Sequence, residues 1–218
     1  MKTQPGLRDR KKARTRDTIL GAATRLYLAE GYDATTVEQI AEAAGVGRRT
    51  FFRYFPRKDD TVFPNQEERL GLFRQRLAAH RASLPPYPAV TSACLEVARV
   101  FSGARDELVA QFAIVRGSPA LIARQAEFDA RWEQAVFEAL LPAGAPHPAE
   151  RRHARVFAGA LMGLVRVLLD AWMVPGAEGD LVAQGAEALG WLERGYGASF
   201  DGLARGHEGA VASTPESA

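Results

Sequence analysis

Four residues in one short stretch have the types and spacing to read nucleic acid: Arg48, Arg49, Thr50 and Arg53. On a helix they share an exposed face, opposite Phe51 and Phe55, which would bury the other side. A guanidinium near the N-terminus of such a helix can reach the guanine O6 and N7 acceptors in the major groove. The segment 36–55 supplies what must hold that helix. Val37 and Ile40 bury a first short helix, and Ala41 is small enough to let a second one cross closely. Gly45, four residues on, suits the left-handed backbone of a sharp turn, and Val46 plugs the corner. An ordinary helical hairpin with a basic face is the alternative. The Ala-x3-Gly-Val spacing and the basic flank together favour a helix-turn-helix.

Charge is divided along the chain in the same sense. Residues 1–58 carry 13 Lys and Arg against 6 Asp and Glu, whereas residues 59–218 carry 15 against 20. The overall charge of +2 therefore conceals a polyanion-binding head on an acidic body. Arg8, Arg10, Lys11, Lys12, Arg14 and Arg16 form a basic arm before the first core residues. Such an arm can track phosphates or enter the minor groove, or it can be a solvated tail, and the residue types leave both open.

Other chemistry is hard to find in these 218 residues. The single cysteine, Cys94, excludes an intramolecular disulfide and a cysteine-based zinc site. His80, His147, His153 and His207 have no i, i+4 ligand partner, so no metal is expected. There is no GxSxG, P-loop or GxGxxG, hence no enzyme activity and no cofactor is expected. The basic N-terminus lacks the apolar run of a signal peptide. The most apolar stretch, 156–174, contains Arg166 and Asp170 four residues apart, where they can pair; it reads as a buried helix and not a membrane span. A cytoplasmic protein is expected.

Periodicity predicts an all-α chain of about nine helices, with no strand pattern. The first spans about 9–30, with Ile19, Ala22, Ala23, Leu26 and Tyr27 on one face and Gly31 as its C-terminal stop. Thr35 or Thr36 can cap the second, closing a capping box with Glu38 or Gln39. The third covers about 47–54. Further helices are predicted at 58–84 (irregular near Pro64), 89–103, 105–117, 119–141, 148–174 and 180–204, with Pro85-Pro86-Tyr87-Pro88 as a stiff connector. The domains implied are a head at 1–57, a body at 58–205 and a disordered tail at 206–218.

The stretch 14–58 resembles the DNA-binding domain of TetR-family bacterial transcriptional regulators. The matching residues are Ile19-Leu20, Ala23, Leu26, Glu30-Gly31-Tyr32, Thr35-Thr36-Val37, Ile40-Ala41, Ala44-Gly45-Val46, Thr50 and Tyr54-Phe55-x-x-Lys58. The resemblance implies a three-helix helix-turn-helix domain plus a C-terminal helical ligand-binding and dimerisation domain. It further implies a homodimer that binds a palindromic double-stranded operator and releases it when a small ligand enters the body. Carried over by position, Arg48, Arg49, Thr50 and Phe52 meet base edges, while Thr36, Tyr54 and Lys58 meet phosphates. Two positions depart from the family. Phe52 replaces the usual tyrosine and can offer only apolar contact, for instance to a thymine methyl. Gly47 replaces a serine-type cap, which costs a few tenths of a kcal/mol at the start of the recognition helix.

In the body, the last helix repeats apolar residues at sevens, Val182, Leu189, Tyr196 and Leu203, with Gly185, Leu192 and Ser199 between them. The helix at 148–174 is apolar nearly all round and must be covered on two sides. Both point to a homodimer through the two C-terminal helices, the alternative being that both are internal to a monomer. Phe101, Phe112, Val115, Phe128 and Trp132 can line a ligand cavity or be plain core. Arg116, with Arg124 and Arg131, can hold an anionic head group or form surface salt bridges. The motif 47–60 is similar to a TetR subgroup with acyl-CoA-like ligands; a flat hydrophobic drug or aromatic metabolite is the competing effector. A ligand-responsive repressor is the reading these features favour. A DNA-bound scaffold or cell-division factor recruiting a protein partner is the rival.

Overall fold

The structure is a computed structural model in which residues 6–142, 144–173 and 179–194 are described, the side chain of Phe101 excepted. Among them are nine α-helices and no strand: α1 (Leu7–Glu30), α2 (Val37–Ala43), α3 (Arg48–Tyr54), α4 (Gln66–Arg81), α5 (Pro86–Ser102), α6 (Arg105–Arg116), α7 (Pro119–Leu140), α8 (Pro148–Met173) and α9 (Leu181–Leu192). A single 3-10 turn covers Asp59–Thr61.

Two compact units divide the chain. One joins Met1–Gln66 to Ala104–Glu127, and the other joins Glu67–Gly103 to Phe128–Ala218. The head at 1–57 thus shares its unit with 104–127, a segment that periodicity alone assigns to the body. In that unit α1 packs on both α2 and α6, with Ile19, Ala22, Ala23, Ile40 and Phe51 entirely withdrawn from solvent. Ser118 Oγ also donates to Asp33 at 3.1 Å. Burial of apolar side chains, and not order along the chain, groups these segments.

The second unit has its own core, in which Phe73, Val90, Val136, Phe157 and Leu161 are all buried. The Tyr87 and Phe157 rings meet edge to face at 4.8 Å, and the Tyr87 hydroxyl donates to the Leu189 carbonyl of α9 at 3.0 Å. By length and composition α8 is long and apolar enough to cross a bilayer; its Ala154, Phe157, Ala158 and Leu161 enter this core. Arg166 and Asp170 do pair, at 4.0 Å, with Arg166 exposed and Asp170 about half-buried, so the pair lies on the solvent side of α8.

Two expected elements differ from those observed. The helix expected at 58–84 is broken into the 3-10 turn and α4, since Pro64 lacks the donor a continuous helix requires. The proline run is not a connector: α5 begins at Pro86. Prolines in a first turn lack only amide hydrogens that would have no acceptor within the helix. The described part of the last helix ends at Leu192. Tyr196, Ser199, Leu203 and the tail 206–218 lie outside the described residues.

Candidate nucleic-acid interface

Thr36 caps α2 with a complete capping box. The Gln39 amide donates to Thr36 Oγ1 at 3.2 Å, and Gln39 Oε1 accepts from the Thr36 amide at 2.7 Å. The turn follows at Gly45, whose φ of 64° is the left-handed conformation a side chain would resist. Val46 closes the corner by donating its amide to the Ala41 carbonyl at 2.9 Å. Ala41 itself is buried at the crossing of α2 and α3. Gly47 starts α3 without a side-chain cap, as the missing serine implies.

The recognition helix is clamped from behind. Phe51 is fully buried and Phe55 nearly so, with ring centroids 5.9 Å apart. That burial turns Arg48, Arg49, Phe52 and Arg53 outward, while Thr50 and Tyr54 are half-buried at the edges. Arg48 is pre-positioned: its Nε lies 3.1 Å from Glu38 Oε1, and its guanidinium stacks 5.5 Å over the Phe52 ring. Phe52 therefore orients an arginine besides presenting an apolar edge. Arg53 stacks likewise on Tyr54 at 5.4 Å.

Lys58 is placed differently from its neighbours. Its Nζ donates to the carbonyls of Tyr32 at 2.8 Å and Thr35 at 2.9 Å and sits 4.0 Å from the Tyr32 ring centre. Two of its three ammonium protons thus tie the loop before α2 to the end of the head, leaving one for a phosphate. Burial lowers its pKa. Asp59, buried beside it, draws in Arg57 at 2.9 Å and Arg124 of α7 at 3.2 Å. Tyr27 completes this side, its hydroxyl 2.8 Å from Thr61 Oγ1. Glu38 holds Arg48 and Tyr32 holds Lys58. The sequence marks Glu38 as a capping candidate and Tyr32 as part of the matching stretch, but neither in this role.

The candidate effector residues fall in separate units. Phe112, Val115 and Arg116 belong to the unit of the head, where Arg116 lies 5.3 Å over the Phe112 ring and faces solvent. Phe128 and Trp132 belong to the other, where Trp132 packs on Phe73 at 5.2 Å as part of the core. Phe101 lies outside the described side chains. Arg124 and Arg131 are engaged in salt bridges, to Asp59 and Glu127 and to Glu67 respectively. Two open clefts lie elsewhere, and neither is lined by these aromatics. One of about 360 Å³ lies among Tyr32, Arg57, Lys58, Leu121 and Arg124. The other, of about 310 Å³, lies among Phe137, Arg151, Arg152, Arg155 and Val156.

Residues 19–62 match the family of bacterial regulatory proteins termed tetR. The chain is 38% identical over 125 residues to the HTH-type transcriptional regulator TcmR of Streptomyces glaucescens, covering 55% of each chain. It spans about half, or less, of the length of the curated relatives it matches. In fold it resembles Thermus thermophilus FadR, a transcriptional repressor solved with lauroyl-CoA, at 22% identity, covering 81% of this chain and 92% of that one with a TM-score of 0.52. It also resembles the SmeT–triclosan complex at 22% identity, covering 84% and 91% with a TM-score of 0.60. A capped α2, a left-handed turn at Gly45 and a clamped basic α3 all fall inside the matched stretch, so residues 19–62 form an N-terminal domain of the kind found in the tetR family of bacterial regulatory proteins.

Proposed function

We propose that the chain is a ligand-responsive DNA-binding transcriptional regulator, a cytoplasmic repressor without enzyme activity that leaves a palindromic operator when a small effector binds. One observation carries the reading. Burial of Phe51 and Phe55 forces Arg48, Arg49, Phe52 and Arg53 outward on a short helix behind a left-handed turn. Arg48, Arg49, Thr50 and Phe52 read base edges, while Thr36, Arg53, Tyr54 and the free proton of Lys58 meet phosphates.

A two-fold operator requires two heads about 34–36 Å apart, hence a dimer. Val156 and Val167 of α8 and Trp191 of α9 are each more than half exposed. A second copy seated on α8 and α9 would cover them, which supports a homodimer through the C-terminal helices. The functional division is then a head at 1–57 and an effector and dimerisation body at 58–205. FadR carries lauroyl-CoA and SmeT carries triclosan. These two classes, acyl-CoA-like and small hydrophobic, are the effectors we assign here, with Phe112, Val115, Arg116, Phe128 and Trp132 as the residues to vary first.

Selection of bound DNA from a random duplex pool, at two salt concentrations, tests the reading. An enriched palindrome with salt-sensitive affinity is the expected result. Strong salt dependence with no enriched sequence would reduce the head to a general DNA anchor.

A further inference from the structure

The basic residues before the first core position are not a loose arm. Helix α1 is continuous from Leu7, so Arg8, Arg10, Lys11, Lys12 and Arg14 ride on the same rigid element that packs against α2. Counting back from Ile19 in helical steps, the face that buries Ile19, Ala22 and Ala23 carries Thr15, Lys12, Lys11 and Arg8 one to three turns earlier. The apolar stripe becomes a basic stripe where the helix passes beyond the head. Every residue from Leu7 to Arg14 is exposed.

The origin of the extension is fixed. Arg16 donates to the Pro64 carbonyl at 2.8 Å and to Asn65 Oδ1 at 3.3 Å, and its guanidinium lies 5.6 Å from the ring of Phe55. Phe55 is the C-terminal cap of the recognition helix. The two turns from Leu7 to Arg14 therefore start beside the end of α3 and project about 12 Å from it, at 1.5 Å per residue. Like charges three and four apart, such as Arg8 with Lys11 and Lys12, repel along an isolated helix. Among the described residues Arg8, Lys11, Lys12 and Arg14 have no carboxylate partner. A polyanion alongside would remove that cost.

We propose that the first two turns of α1 are a second DNA-contact element, a rigid basic rod whose Arg8 and Lys12, with Lys11 beside them, lie along the phosphates flanking the site that α3 reads. This deepens the DNA-binding function proposed above and rests on it. The rod adds affinity and salt dependence but no sequence information, because phosphates carry none.

The test compares two pairs of substitutions in the full chain, each replacing two cations by a good helix former. Arg8→Gln with Lys12→Gln removes charge from the inner face, and Arg10→Gln with Arg14→Gln removes it from the outer face. Affinity for a mixed-sequence duplex is measured across a salt series, with thermal melting confirming the fold. Each lost phosphate contact reduces the slope of log K against log salt by about 0.9. The inner pair is expected to reduce it by about 1.8 per head, the outer pair by less than half of that, with the enriched operator unchanged for both. An unchanged slope for the inner pair, or equal losses for the two pairs, overturns the rod while leaving the helix-turn-helix intact. Failure of the unsubstituted chain to bind any duplex overturns the DNA-binding reading and the rod with it.

Discussion

Replacing Lys58 by methionine isolates what its ammonium does, since the stem is retained and only the charge and its donors are lost. Two hydrogen bonds from a charged donor disappear, to Tyr32 and Thr35, each worth about 1.5–3 kcal/mol. The contact with the Tyr32 ring adds about 0.5–1 kcal/mol. Against this, the half-buried ammonium is already penalised by desolvation, which is why its pKa is lowered. The bared carbonyls can also recover water in part. With those offsets the net loss expected is about 2 kcal/mol, well below the gross sum. Urea unfolding followed by far-UV circular dichroism reads it as a lower midpoint at unchanged slope. In parallel, the salt slope of DNA binding should fall by about 0.9 per head if the third proton meets a phosphate. A stability loss below about 0.5 kcal/mol with a full loss of salt slope would refute the reasoning, because Lys58 would then serve the phosphate alone and the loop would be held by something else.

Three further outcomes follow from the geometry. Thr36→Ala removes the hydroxyl that accepts from the Gln39 amide, while the Thr36 amide can still donate to Gln39 Oε1; it should cost about 1 kcal/mol, seen in the same urea titration, with Thr36→Ser restoring most of it. Val156→Glu with Val167→Glu places charge on the exposed apolar face of α8 and should halve the mass seen in sedimentation equilibrium, whereas an unchanged mass would place the dimer interface elsewhere. Burial pushes the Tyr87 and Tyr32 phenols up to about 12 from the usual 10.0. The folded state then holds protons that the unfolded state has released, so stability is complete below pH 10 and is lost as pH rises towards 12. Melting temperatures across that range check the sign, and Tyr87→Phe should make the decline shallower.

The head was legible because its constraints are local. The capping pair at Thr36 and Gln39, the glycine of the turn and the alternation of buried Phe51 with exposed arginines all fall within 20 residues of one another. Each has a geometric reason readable from residue type. Helices α6, α7 and α8 lie within a residue or two of the spans that periodicity predicts, because their apolar faces recur at helical spacing. Less legible were the break near Pro64 and the start of α5 at Pro86, where proline can either end a helix or open one. Periodicity carries no sign that chooses between them.

The amino-acid sequence by itself determined an all-helical chain, a basic head and the outward face of the recognition helix. These depend on the order of neighbouring residues and on burial at a fixed helical period. Only the tertiary structure decided that Arg48 rests on Glu38 and Phe52, that Lys58 spends two protons on carbonyls more than twenty residues away, and that 104–127 packs with the head. It likewise decided that Arg124 and Arg131 are engaged in salt bridges, to Asp59 and to Glu67. Those outcomes depend on which side chains from distant segments reach the same few ångström, and a one-dimensional pattern does not encode that meeting until the core has brought the segments together.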